Sequence, residues 1–258
     1  MSYYREKNEE EQLVSMSLGD HLEELRGRLI LTIIGLVIGI AICLVFGKYL
    51  VGVLKIPYLK TVGKLGLDPS LIAIHPAGGF MVFLKTSLLF GLLISSPWVI
   101  WQIWAFVASG LYKKERKFAY NVAPISAVLF IGGSIFFITV VAPLTMTFFV
   151  KFNQWMEVES LFTLQNYINM ILILVLVFGL AFQMPIVIVF AERMHLVTIE
   201  MLTSIRKFMI IGLVVVSAMI TPPDFVSQIA LAGPLYVLYE ASIIVCRILR
   251  KRTMSNDS

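Results

Sequence analysis

Residues 29–47 read LILTIIGLVIGIAICLVFG, a run without charge or proline, closed by Arg28 on one side and Lys48 on the other. At 1.5 Å rise per residue a helix of this length covers roughly 30 Å, the thickness of a bilayer's hydrocarbon core. Transmembrane strands would alternate apolar and polar positions. This run is continuous, so it predicts a membrane-spanning helix. Similar runs follow at 79–111, 118–150, 167–190, 208–221 and 225–246. Together they predict an all-α polytopic membrane protein with six transmembrane helices, the last two short. Prolines 97, 124, 143, 185 and 234 fall within these runs, and Pro97 and Pro185 are expected to kink theirs.

Composition agrees. Of 258 residues, 59% are hydrophobic and 14% charged, against roughly 25% charged in a soluble domain. The formal charge of +5 has a source in the positive-inside bias and does not require nucleic acid. Fifteen of the 21 Lys and Arg lie in the N-terminal segment, the 112–117 and 191–207 loops and the C-terminal tail. This bias places both termini in the cytoplasm of a multi-pass cell-membrane protein. Lys48, Lys55, Lys60 and Lys64 dissent mildly. The acidic start, 1–12, lacks the basic segment of a signal peptide, so the first span is expected to be retained. Cys43 and Cys246 fall at opposite ends of different spans, which argues against a disulfide.

The chain divides into a polar tail at 1–17, a six-helix transmembrane domain at 18–250 and a polar tail at 251–258. Leu18, Leu22, Leu25 and Leu29 form one apolar stripe, so 18–28 reads as a short amphipathic helix ahead of span one, with Asp20 as its N-cap. The Gly- and Pro-rich stretch 48–76 reads as an ordered loop with short helices. Asp224, after Pro222 and Pro223, is expected to cap the start of span six.

No motif of a hydrolase, kinase or dinucleotide enzyme appears. His21, His75 and His195 fall in separate segments and read as solvated or interfacial, so no metal and no cofactor are expected. Glu24 has two readings. It forms an i,i+4 surface ion pair with Arg28, or it is a functional carboxylate. Glu115 sits among four bases in LYKKERK, 111–117, and likewise reads as a local pair or as an acid kept for binding. Lys85, Gln102, Gln183, Gln228 and Glu240 lie within spans. Polar groups there face protein or water and are functional candidates. Lys85 is expected to snorkel, Glu240 to pair with a base or a neighbouring helix, and Gln183 to bond carbonyls freed by Pro185.

Five stretches in order resemble the TatC family, the multi-spanning core of the twin-arginine protein translocase. They are HLEELRGRL at 21–29, SPWVIWQIWAFVASGLYKKERK at 96–117, FGLAFQMPIVIVF at 178–190, ITPPDFVSQ at 220–228 and PLYVLYEASI at 234–243. The resemblance covers about 18–250. It implies a receptor for signal peptides bearing two arginines, which exports folded proteins by means of the proton gradient without hydrolysing nucleotide. It implies a cup-like arrangement and assembly with small single-span TatA/TatB-type subunits, as a homo-oligomer within the translocase. It also implies that Glu24 and Glu115 bind the arginine pair, and that Gln183, where many members carry Glu, meets a partner helix or a groove. Arg26, Phe106, Asp224 and Glu240 are further positions with a structural or functional part. Ser109 stands where many members have proline. The alternative is a secondary transporter for a small solute, but no internal repeat supports it. An intramembrane enzyme ranks behind it, without a nucleophile–base pair.

Overall fold

The structure is a computed structural model that describes residues 18–66, 70–111, 113–158, 162–220 and 225–256. The helices, in chain order, are α1 (Leu18–Lys64), α2 (Gly78–Ser109), α3 (Lys113–Phe136), α4 (Ala142–Trp155), α5 (Leu164–Ala181), α6 (Met184–Arg193), α7 (Ile199–Ser204), α8 (Arg206–Ile220) and α9 (Phe225–Asn256). A π-helical turn, Phe137–Val141, joins α3 to α4. The only β pairing among the described residues is one isolated bridge, Ile72 to Thr163. Among the described residues, five helical stretches are long and apolar enough to cross a membrane: His21–Lys64, Gly78–Ser109, Arg116–Trp155, Leu164–Arg193 and Gln228–Arg250. The apolar helix α8, of 15 residues, is short for a span.

The first departure from expectation is α1. The amphipathic 18–28 segment and span one form one continuous helix over the described residues, and the side chain of the expected cap Asp20 lies outside the described residues. The helix also runs through the expected loop as far as Lys64, with Pro57 inside it. The reason is a second stripe. Leu54, Tyr58 and Val62 recur at helical spacing and are buried with Met146, Val150, Tyr167 and Ile168. Tyr58 meets the Phe162 ring edge-on at 5.5 Å. Tyr167 donates to the Leu54 carbonyl at 2.8 Å, in the turn where Pro57 supplies no backbone donor. Burying these side chains outweighs two interior glycines at about 1 kcal/mol each.

The other prolines are resolved in different ways. In α2 the helix continues through Pro97. That proline leaves the carbonyl four residues back, Leu93, without its donor, and the Ser96 hydroxyl donates to it at 2.7 Å. Pro143 opens α4 directly after the π turn, a widened register that accommodates the break in the ladder. Pro185 does more than kink its run. Span four is two helices, broken at Phe182–Gln183 with Pro185 in the first turn of α6. The expected 191–207 loop contains the end of α6 and the short helix α7.

Helices α1 and α2 pack backbone to backbone. A Cβ on Gly91 would stand 2.6–2.8 Å from Ile40, including its backbone, and one on Gly39 would stand 2.7 Å from the Gly91 carbonyl oxygen. Trp98 lies against Gly35 and donates from Nε1 to the Leu31 carbonyl at 2.9 Å. This contact sets the N-terminal part of α1 against the C-terminal part of α2, where the candidate site lies.

Candidate functional site

Glu24 sits two turns into α1, with its side chain 23% exposed. Arg28, one turn on, donates to Glu24 Oε1 twice, from Nη2 at 2.6 Å and from Nε at 3.0 Å. The i,i+4 pair read from the sequence is therefore formed. A third bond crosses to α2, where the remaining guanidinium nitrogen, Nη1, donates to Gln102 Oε1 at 3.3 Å. Gln102 is 5% exposed, and Arg28 gives it a charged donor as partner. Both bonds from Arg28 end on Oε1, so Glu24 Oε2 keeps its acceptor capacity with respect to this arginine.

Around this trio lie residues from three helices. His21 stacks on Phe106 with ring centroids 4.7 Å apart, and a Cβ on Gly110 would lie 3.6 Å from the His21 ring. Phe106 thus packs beside the glutamate's own helix turn. Arg26 is exposed. Glu115 lies in the first turn of α3, and its side chain falls outside the described residues. Its neighbour Arg116 bonds the Tyr120 hydroxyl at 3.4 Å and lies over that ring at 5.8 Å. The pair of carboxylates read from the sequence is thus seen from one side only.

The other four polar residues read as embedded in spans, Lys85, Gln183, Gln228 and Glu240, each find a partner. Gln183 does not bond a carbonyl freed by Pro185. It reaches across to α3, where its Oε1 accepts a short hydrogen bond from the Ser126 hydroxyl and its Nε2 donates to the Ser126 carbonyl at 3.0 Å. The helix break at Phe182–Gln183 turns the side chain towards that neighbour. Glu240 accepts from Arg206 at 2.8 Å and from the Tyr236 hydroxyl at 3.0 Å, which ties α8 to α9. Gln228 donates to the Val214 carbonyl at 2.9 Å. Lys85 bonds Asn169 at 2.9 Å in place of simple snorkelling. Arg250, at the end of the last long stretch, bonds Glu200 of α7 at 3.2 Å. The glutamate's own backbone, and then that bond, hold the Glu200 carboxyl below the ordinary carboxylate range. The expected cap Asp224 lies outside the described residues.

Two pairings at the site are not legible in the sequence, where His21 reads as solvated or interfacial and Gln102 as an embedded polar candidate. Their partners are Phe106 and Arg28, the latter 74 residues from Gln102, a separation at which one sequence carries no pairing signal.

The family model described as Sec-independent protein translocase protein (TatC) matches residues 20–234. The chain is 36% identical over 239 residues to the Sec-independent protein translocase protein TatC of Aquifex aeolicus, covering 92% of this chain and 97% of that protein. It is 32% identical to the corresponding protein of Carboxydothermus hydrogenoformans, over 94% and 97% of the two chains. A chloroplastic relative from Pisum sativum is 37% identical over 87% of this chain and 62% of its own length. The crystal structure titled Twin Arginine Translocase Receptor-TatC superposes with a TM-score of 0.76 at 35% identity, over 88% of this chain and 98% of that one. The small-solute transporter reading gains no support from any of these. With its order of helices, its superposition and its matched motifs in agreement, the chain belongs to the TatC family of Sec-independent protein translocase components.

Proposed function

We propose that this chain is the receptor for twin-arginine signal peptides in a translocase that exports folded proteins with energy from the proton gradient. Glu24 and Glu115 take the arginine pair. The observation that carries this reading is the partly buried Glu24 carboxylate, joined through Arg28 to Gln102 of α2, with a guanidinium already bound to it. Arg28 supports the reading: a guanidinium reaches this carboxylate through two donors, both on Oε1. A signal-peptide arginine offers the same fork, and lysine does not.

The site faces the cytoplasm, as the Lys and Arg distribution requires. Both termini are cytoplasmic in a multi-pass cell-membrane protein. The membrane is crossed six times, with α8 as the short extra span in a locally thinned bilayer. The helices form a cup whose groove opens towards lipid and towards small single-span subunits of TatA/TatB type, and several copies act together. Gln183, braced by Ser126, stands where such a partner helix docks.

The test is the affinity of a twin-arginine peptide for the purified full chain. Glu24→Gln and Glu115→Gln should each weaken it about tenfold, because a charge-assisted bond near water is worth about 1.5 kcal/mol. Added salt should narrow the difference. Equal affinity for wild type and both variants would refute the site.

A further inference from the structure

The Glu24 carboxylate is not empty at rest. It holds a guanidinium from its own helix through two donors that share Oε1. A peptide arginine that takes Oε1 and Oε2 together, one donor to each oxygen, would displace Arg28 from Oε1. The neighbourhood gives Arg28 a second acceptor, Gln102 Oε1, at 3.3 Å from Nη1. Gln102 is buried in an apolar helix and belongs to α2, so this acceptor does not move with Glu24.

We infer that Arg28 is an affinity-setting residue of the receptor site, a resident guanidinium that a signal-peptide arginine displaces from Glu24 while Gln102 retains it. The inference rests on the receptor reading above and adds a competitor to it. Arg28 keeps the acid paired when no peptide is bound, so Glu24 never stands unpaired in a partly buried place. It also subtracts its own bond from every binding event, which holds affinity down and lets the peptide leave. Arg26, exposed and two residues away, shares the charge but makes no bond to Glu24 among the described residues. It therefore separates a specific competitor from a general positive field.

The experiment measures twin-arginine peptide affinity for the full chain in detergent, in wild type, Arg28→Gln, Arg28→Lys, Arg26→Gln, Glu24→Gln and the double variant Glu24→Gln/Arg28→Gln. Thermal unfolding confirms that each variant is folded. Arg28→Gln should bind about three- to tenfold more tightly, the range of a partly exposed ion pair. Arg28→Lys should fall between, since it keeps the charge and loses the fork. In the Glu24→Gln background the gain from removing Arg28 should vanish, because no carboxylate remains to compete for. Unchanged or weaker binding in folded Arg28→Gln and Arg28→Lys would overturn the inference, as would an equal gain from Arg26→Gln. Wild type that does not bind the peptide at all would instead remove the receptor reading.

Discussion

Gln183 shows how a single embedded side chain is used. Its amide has a donor and an acceptor, and Ser126 satisfies both, one through its hydroxyl and one through its carbonyl. In hydrocarbon an unmet amide is costly, so this exchange ties α3 to the break between α5 and α6. Gln183→Leu is expected to lower stability by about 1–2 kcal/mol, read as a reduced melting temperature in detergent. It should also reduce co-purification of a single-span partner more than peptide affinity. Normal partner assembly with lost peptide binding would assign the residue to the wrong site. Glu240 is the same lesson with charge. Its two oxygens are shared between Arg206 and Tyr236, and Arg206→Gln should destabilise the chain without changing peptide affinity.

At the scale of elements, the site depends on how closely α1 and α2 approach. The Gly39–Gly91 crossing brings backbone against backbone, and any side chain at Gly91 meets the Ile40 main chain. Gly91→Val is therefore expected to cost about 1–3 kcal/mol through forced separation of the helices. Because Arg28 of α1 and Gln102 of α2 are bonded across that seam, peptide affinity should fall in the same variant. Thermal unfolding and peptide titration read the two effects, and an unperturbed affinity would uncouple the crossing from the site. Ser96 makes a smaller test of the same helix. Ser96→Ala removes the donor to the Leu93 carbonyl left by Pro97 and should cost about 1 kcal/mol in unfolding free energy.

The whole molecule is laid out by α1. Its 47 residues make a rod of roughly 70 Å, more than twice the hydrocarbon thickness. The end bearing Lys48, Lys55, Lys60 and Lys64 therefore extends beyond the core, packed through Leu54, Tyr58 and Val62 on α4 and α5. The four lysines that dissent from the charge bias thus lie on a helix end buttressed by α4 and α5. A cysteine placed at position 60 should label from the face opposite the termini in sealed cells. Labelling from the cytoplasmic side alone would overturn the topology.

Long uncharged runs such as 29–47 were sufficient for the helical class and for membrane residence, because hydrocarbon leaves a backbone few other ways to satisfy its own polar groups. The Glu24–Arg28 pair was legible too, since partners one turn apart lie on one helix face. The family followed from ordered motifs. The extension of α1 to Lys64 was not legible. Glycine and proline in 48–64 speak for a loop, and the residues that overrule them, Met146, Val150 and Tyr167, lie some 90 positions or more away from Leu54. The same holds for the partner of Gln183, where periodicity said only that a polar group stood in a span. Which carbonyl or hydroxyl it would meet depended on the break at Phe182 and on the face that α3 turns towards it. Arg28 and Gln102 are the clearest case. Each residue's chemistry was written in the chain, but their meeting required the close crossing of α1 and α2, a long-range packing decision that no local pattern encodes.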